Sequence, residues 1–341
     1  MTRASDTPGD PAVHARTPVR LGILTNPAAH RNHRLPLTHG RLEAHLASAA
    51  DAVVTADRSR LDAALHQLLV ERGVTVLAIN GGDGTIHGAI NGIVRLLGPD
   101  VAAGRARLPT LLFLNGGTYN MASRAFRTKD DPVSTVRRFQ QRYAGATLGD
   151  LATRRLGLLQ VARPGADPML GMVFGSQVIH HVLDLCDRLG SGYVGLARLL
   201  ATGVLGSAIR SRFYRENLWR LRPGSAQAEI DGVRQGDVLG VVASTIDMKL
   251  VRGLVWALTM PPGAAGFHAK VIRAKTPSEV VHLLPHLLWE IPHHSILAFP
   301  EARRLEASGD FTVDGELYAH EGPLTVTASP VSFRALSGDE F

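Results

Sequence analysis

The chain has 341 residues, which is more than one hydrophobic core usually supports, so two domains are expected. Hydrophobic residues make up 45% of the sequence, which excludes an intrinsically disordered protein. The formal net charge of +7 favours anionic partners but does not choose among nucleotides, nucleic acid and acidic lipid surfaces.

Residues 1–18 have no apolar stretch of the kind that a secretory signal needs, and we expect a mobile tail there. The best apolar run, at 193–209, is interrupted by Arg198 and is shorter than the ~20 apolar residues of a membrane span. Cys186 is the only cysteine, so the chain forms no internal disulfide, and a reducing compartment is favoured. Because leucines surround Cys186 in the sequence, we expect a buried structural thiol.

Residues 19–150 alternate short apolar runs with helical periodicity, which is typical of an α/β domain built on a parallel sheet. Each of two strands leads directly into a glycine-rich turn that opens a helix, so one supersecondary pattern occurs twice. We predict strands at 20–25, 74–80 and 110–114, and helices at 61–72, after 85, and at 120–126.

The first glycine-rich turn, Gly81-Gly82-Asp83-Gly84-Thr85, has the placement that presents backbone N–H groups and a helix N-terminus to an anion. The glycines let phosphate oxygens approach the main chain, Thr85 can cap the helix, and Asp83 can reach a magnesium ion or its water shell. A plain tight turn capped by Asp83 is the alternative. The segment has neither the lysine of a P-loop nor the GxGxxG spacing of a dinucleotide fold.

Residues 151–336 change to short strand-like runs separated by Gly and Pro, which predicts a β-rich, sandwich-like second domain. A return of its C-terminal segment to pack on the first domain is left open. We predict strands at 156–162, 238–244 and 254–260, and helices at 182–212 and 278–290.

Two features of the second domain invite a functional interpretation. Adjacent histidines occur at 180–181 and 293–294, but we expect them on strands, where neighbours point to opposite faces, with no carboxylate or cysteine at ligand spacing. Ordinary histidines are therefore predicted at both places. The arginine-rich stretch 198–222 either docks on an anionic membrane surface or is a helix with a solvated basic face.

Three segments together resemble the diacylglycerol kinase catalytic domain family, which includes soluble bacterial lipid kinases and the sphingosine and ceramide kinases. Residues 81–93, Gly-Gly-Asp-Gly-Thr-Ile-His-Gly-Ala-Ile-Asn-Gly-Ile, are similar to its signature. Residues 116–124 are similar to its Gly-Thr-x-Asn turn, and 313–317 to its Asp-Gly-Glu segment. The order and spacing agree, so the resemblance covers most of 20–336 and implies a nucleotide domain related to those of NAD kinases and phosphofructokinases.

The resemblance implies a site for ATP with Mg²⁺, in which Asp83 lies beside the nucleotide-associated metal. It also implies that Asp314 and Glu316 face the acceptor hydroxyl, with Glu316 as general base and Asp314 as its orienting partner. Asp83, Asp314 and Glu316 are thus the expected catalytic residues. The expected nucleotide-binding residues are Asn26, Pro27, Arg31, Thr55, Gly81, Gly82, Asp83, Gly84, Thr85, Ile86, His87 and Thr118.

The sequence departs from the family pattern at three places. His87-Gly88 replace the usual Asn-Glu, Met121 replaces an Asp, and the loop 261–267 lacks the Asp that helps to bind an accessory structural magnesium ion in several bacterial members. We therefore do not expect that accessory metal site. Asp314-Gly315 is also the commonest signal for a two-residue β-hairpin, which is the alternative to a catalytic role.

The sequence thus predicts an ATP-dependent lipid kinase acting on diacylglycerol or a long-chain base. We expect it in the cytoplasm, peripheral at the inner face of the membrane, with lipid and an anionic membrane surface as partners rather than nucleic acid; a homodimer is left open. One alternative is a kinase of a soluble acceptor such as NAD, although 115–120 matches the lipid family better. The other is a non-catalytic nucleotide or lipid sensor, which the departures at 87, 88 and 121 favour.

Overall fold

The chain divides into two units in a computed structural model. The first unit comprises the described residues up to Leu156 together with Ser332–Phe341, and the second comprises those within Gly157–Val331. The division follows Leu156, a few residues beyond the predicted boundary at 150, and returns the segment from Ser332 to the first unit. The structure describes residues 16–29, 32, 41–42, 52–55, 57–117, 119–128, 130–190, 194–195, 198–199, 212, 227–250, 255–258, 266–273, 279, 283, 286 and 291–341.

A parallel sheet is the centre of the first unit, with its first four strands in the order β2-β1-β3-β4. The end of a long strand, β18, joins it beside β4 through the parallel pair Ala335–Leu111. Strands β1, β3 and β4 are buried almost throughout, which explains their continuous apolar runs. The bounds are β1 Leu21–Thr25, β2 Ala52–Thr55, β3 Val76–Gly81, β4 Thr110–Asn115 and β18 Pro323–Leu336.

The helices of the first unit follow local signals in the sequence. The last of them begins after Asp131, whose side chain accepts hydrogen bonds from the backbone N–H groups of Val133 and Ser134, with Pro132 in the first turn. Its apolar face, which includes Phe139, packs in the core formed with the parallel strands. The helices are α1 Leu61–His66, continued by a π-helical turn at Gln67–Glu71, α2 Asp83–Ala102, α3 Met121–Ala125 and α4 Pro132–Arg142, and a short 3₁₀ turn follows at Leu148–Asp150.

The second unit is β-rich and mainly antiparallel. One sheet has the order β14-β13-β10-β7-β16-β17, and other strands pair as β6-β5-β18-β15-β8-β9. A single buried core takes side chains from both sets of strands. The bounds are β5 Thr153–Arg163, β6 Ala166–Gly171, β7 Val173–Ser176, β8 Gln227–Ile230, β9 Val233–Asp237, β10 Gly240–Ser244, β11 Met248–Leu250, β12 Val255–Leu258, β13 Phe267–Ile272, β14 Ile296–Ala302, β15 Arg304–Ser308, β16 Phe311–Val313 and β17 Glu316–Tyr318.

These units confirm the predicted fold class, an α/β domain followed by a β-rich region. The expectation that both histidine pairs lie on strands was wrong. His180 and His181 lie on helix α5, Val178–Arg188, and His293 and His294 precede β14. Among the residues that the structure describes, no helix is long and apolar enough to cross a membrane. Most of the predicted tail 1–18, of the basic stretch 198–222, of the helix at 278–290 and of the loop 261–267 lies outside the described residues.

Candidate functional site

The predicted nucleotide-binding residues that the structure describes lie at or next to the carboxyl edge of the parallel sheet of the first unit. The register pairs Thr25 with both Thr55 and Asn80, and Gly81 with Asn115, so the ends of four neighbouring strands are level. Ligands of open α/β sheets bind at this edge. The backbone of Thr55 therefore lies two strands away from the first glycine turn.

The first turn is fixed by hydrogen bonds between its ends and the residue that follows β1. The carbonyl oxygen of Gly82 accepts from the backbone N–H groups of Thr85 (2.9 Å) and Ile86 (3.1 Å), which starts α2. The side chain of Asn26 donates to Thr85 Oγ1 at 2.8 Å. Thr85 does not cap the helix, because Gly82 is the N-cap residue and Thr85 is inside the first turn. A Cβ on Gly81 would lie 2.5 Å from Thr85 Cβ, so this position requires glycine.

Asn120 organises the second turn, which follows β4. Its backbone is left-handed (φ 51°), a conformation that asparagine tolerates better than most residues. Its side-chain Oδ1 accepts from Gly117 N at 2.7 Å, while Nδ2 donates to Gly117 O at 2.8 Å and to Asn115 Oδ1. The loop is thus closed on itself by one buried amide.

The two glycine turns are in backbone contact. A Cβ on Gly116 would lie 2.8 Å from the backbone nitrogen of Gly81, and a Cβ on Gly117 would overlap the Cα of Gly82. Only glycine permits this approach. The result is a continuous stretch of main chain without side chains, next to the N-terminus of a helix of 20 residues, where phosphate oxygens bind favourably.

Asp83 joins the two turns from the first position of α2. Its side chain is buried, with 7% of the residue exposed, and Oδ1 accepts from the backbone N–H of Ala122 at 3.3 Å. A carboxylate beside a phosphate-binding stretch of main chain is an oxygen ligand of the type that Mg²⁺ prefers. The Asp83 carboxylate is therefore a suitable ligand for the predicted nucleotide-associated metal.

The remaining predicted residues of this site differ in their position and burial. Pro27 lies in the turn after β1, and Gly84 lies in the first turn of α2. The side chains of Ile86 and His87 are buried, so a ligand reaches Ile86 through its main chain only. Arg31 and Thr118 lie outside the described residues, and of Thr55 only the backbone is described.

Asn32 and Asn80 lie next to the first turn but are not among the site residues predicted from the sequence. The side chain of Asn32 donates to the carbonyl oxygens of Asn26 (2.8 Å) and Asn80 (3.0 Å). The side-chain amide of Asn80 is fully buried, and neither of its atoms has a hydrogen-bond partner within the described part of the chain. A polar residue inside the apolar run 74–80 was the signal that could have identified Asn80.

In the second unit, Asp314 and Gly315 form the two-residue turn between β16 and β17. Both have positive φ (52° and 88°) and are flanked by the pair Val313–Glu316, which is the geometry of a type I′ hairpin. The Asp314 carboxylate is 2% exposed, and Oδ1 accepts from the backbone N–H groups of Met172 and Val173, both at 2.9 Å.

This anchoring gives Asp314 and Glu316 different capacities. The carboxylate of Asp314 holds the hairpin to the corner between β6 and β7, whereas Glu316, on β17, is partly exposed. Glu316 is therefore more accessible to a ligand than Asp314 is. Asp314 fixes the hairpin that carries Glu316.

Comparisons with known proteins agree with this architecture. Residues 20–149 match the Diacylglycerol kinase catalytic domain family. No curated protein matches the sequence. Among solved structures, a diacylglycerol kinase from Bacillus anthracis str. Sterne has a TM-score of 0.60 at 13% identity. Two structures described as a "putative diacylglycerol kinase" from the same organism have TM-scores of 0.61 at 13% and 14% identity. Each comparison covers 94% of this chain and 97% of the other.

The family match includes both glycine turns and the four strands whose carboxyl edge they follow. The structural likeness extends through the β-rich second unit. Residues 20–149 therefore match the Diacylglycerol kinase catalytic domain family, and the chain has the fold of the solved structures that it resembles.

Proposed function

We propose that this chain transfers the γ-phosphoryl group of ATP, with Mg²⁺, to the hydroxyl group of a lipid such as diacylglycerol or a long-chain base. The observation that carries the proposal is the backbone contact between the two glycine turns at the start of α2. Phosphoryl transfer asks a protein mainly to position the phosphates and to stabilise their charge.

The residues of the first unit have distinct roles in this proposal. The main chain of Gly81 and Gly82 and the first-turn N–H groups of α2 hold the phosphates, and Thr85, fixed by Asn26, keeps the turn in place. Asp83 holds the nucleotide-associated Mg²⁺, which supplies charge neutralisation when it is bound. Asn120 keeps the second turn closed against the first.

The acceptor side rests on the hairpin of the second unit. A lipid alcohol is a weak nucleophile until its proton can leave, and a carboxylate within hydrogen-bond reach accepts that proton as the new P–O bond forms. We assign this role to Glu316 and a positioning role to Asp314. The lipid acceptor further implies that the protein works at the inner face of the membrane as a peripheral protein with an anionic surface as its partner.

The test is incubation of the purified chain with labelled ATP, Mg²⁺ and separate acceptors, followed by separation of labelled products. The panel contains diacylglycerol and a long-chain base in mixed micelles, and NAD in solution. Label in a lipid supports the proposal, whereas label in NAD alone identifies a kinase of a soluble acceptor. Nucleotide binding without any labelled product identifies a sensor and overturns the proposal.

Asp83→Asn is the matched variant for this experiment, because it keeps the volume and a hydrogen-bond acceptor for Ala122 N while removing the charge. We expect an unchanged circular dichroism spectrum and loss of nearly all transfer. If the variant retains more than about a tenth of kcat/KM, a loss of less than ~1.4 kcal/mol of transition-state stabilisation, then Asp83 does not have the assigned role.

A further inference from the structure

Helix α5 of the second unit brings two histidines to a carboxylate. His180 and His181 lie in its first turn, and one possible ligand atom from each, together with one from Asp310, lie within 4.8 Å of one another. All three residues are partly buried. None of the three is among the proposed nucleotide-binding or catalytic residues.

The fold holds the first turn of α5 against the segment that contains Asp310. Gln177, the residue before the helix, donates from its backbone N to Asp310 O at 2.8 Å and from its side chain to Ser308 O at 2.6 Å. Gln177 adopts a left-handed φ of 55°, an uncommon conformation for a residue other than glycine. The proximity of the histidines to Asp310 is therefore built by several contacts around it.

Hydrogen bonding and burial also define the state of two of the possible metal ligands, Asp310 and His180. Asp310 Oδ1 accepts from the backbone N–H of His320 at 2.9 Å, which fixes the carboxylate in the way that outer-shell hydrogen bonds fix metal ligands. The Nδ1 atom of His180 is buried and has no hydrogen-bond partner within the described residues. A buried imidazole nitrogen without a partner is costly unless a ligand satisfies it.

Neighbouring residues of a helix project about 100° apart, so two adjacent imidazoles on a helix can turn towards one point, unlike neighbours on a strand. The rings of His180 and His181 have centroids 5.4 Å apart and planes inclined by 81°. Donors of a tetrahedral zinc site lie about 2.0–2.2 Å from the metal, so the three groups need to close by a small rotamer adjustment.

We propose that His180, His181 and Asp310 bind one Zn²⁺ ion. Two imidazoles and one carboxylate form a nitrogen-rich donor set that suits Zn²⁺, whereas Mg²⁺ and Ca²⁺ prefer oxygen ligands. Three protein ligands leave one tetrahedral position for water. The ion joins α5 to the β15–β16 connection and is separate from the magnesium that accompanies ATP.

The test uses the full chain after chelator treatment and dialysis, titrated with ZnCl₂ against a chromophoric competing chelator. We expect one high-affinity Zn²⁺ per chain, a melting temperature raised by roughly 5 °C at saturating zinc, and a visible Co²⁺ spectrum typical of a tetrahedral site. The double variant His180→Gln/His181→Gln should bind zinc at least about 100-fold more weakly.

The matched control is His293→Gln/His294→Gln, because these histidines are also adjacent in sequence and have neighbouring rings, with centroids 4.3 Å apart. The Nδ1 atom of His293 already accepts from Ser295 N at 3.1 Å. This control should keep full zinc affinity. Asp310→Asn, which retains an oxygen acceptor for His320 N, should fold normally and still lose affinity. Equal zinc binding by the wild type and all three variants, or loss in the 293–294 control only, would overturn the proposal.

Discussion

At the scale of single residues, substitution of the two acidic side chains of the β16–β17 hairpin should have different effects on stability and turnover. Asp314→Asn keeps an acceptor for Met172 N and Val173 N but removes the charge that strengthens both hydrogen bonds. We expect a loss of about 1–3 kcal/mol in the free energy of unfolding, with turnover per folded molecule reduced less than in Glu316→Gln.

Glu316→Gln should leave the free energy of unfolding almost unchanged and reduce lipid turnover by ~10²- to 10⁴-fold, the usual contribution of a positioned base. ATP affinity should be normal in both variants. Urea unfolding, ATP titration and lipid turnover, measured side by side, check this. Near-normal turnover of Glu316→Gln would show that the hairpin is structural only.

Cys186 is a second residue whose environment has a testable effect, in this case on the pKa of its thiol. Burial, and then the charge of Asp187, raise the pKa of its thiol from 9.0 to about 11. Because the folded state holds the proton more tightly than the unfolded chain, this group stabilises the fold fully below pH 9.0, and that stabilisation is lost as the pH rises through about 11.

We therefore expect slow reaction of native Cys186 with a thiol reagent at pH 8 and fast reaction in denaturant, since the thiolate is the nucleophile. The decline in stability between pH 9 and 11 should be smaller in Cys186→Ala than in the wild type, a comparison that cancels the other titrating groups. Rapid modification of the native chain would contradict the burial of this thiol.

At the scale of elements, the contact between the two glycine turns should shape the proposed nucleotide site. In Gly117→Ala the new Cβ would overlap Gly82 Cα and lie 2.9 Å from Asn120 Oδ1, so the turns must separate. We expect ATP affinity to fall by more than tenfold and the free energy of unfolding to fall by about 1–3 kcal/mol.

Gly98→Ala is the control, because the added Cβ in α2 meets Val94 Cγ1 at an ordinary 3.6 Å. Alanine is a better helix former, so stability should rise by about 0.5–1 kcal/mol with ATP affinity unchanged. Isothermal titration with ATP and urea unfolding measure both quantities. Equal ATP affinity in the two variants would mean that the contact between the turns does not shape the site.

The sequence predicted the strand–turn–helix units because their signals are local: a β-branched apolar run, glycines, and helical spacing from Ile86 onward. It did not predict the start of α5, because the hydrogen bonds that position Gln177 come from Ser308 and Asp310, far away along the chain. The burial of Asp314 was missed for the same reason, since its partners are near residue 172.

At the scale of the whole molecule, the first unit is discontinuous in sequence. Ser332–Phe341 return to it, and the ring of Phe341 contacts Phe139 and Tyr143, with centroids 5.9 Å and 6.3 Å apart. Phe341→Ala should lower the free energy of unfolding by about 1–2 kcal/mol, because two aromatic contacts and partly buried area are lost.

Val70→Ala, at an exposed position of the same unit, should change the free energy of unfolding by less than about 0.5 kcal/mol. Urea titrations of both variants give the comparison. Equal stability of the two would show that the returning segment contributes nothing to the unit.

The return of β18 to the edge of β4 also sets an order of events during translation. Strands β1 to β4 leave the ribosome first. Among the described strands, the edge of β4 opposite β3 gains its neighbour only when residues near Ala335 have been made, after the whole of the second unit. An unpaired strand edge is open to wrong partners, so the nascent first unit carries this exposed edge throughout synthesis of the second unit. The domain translated first is the domain completed last.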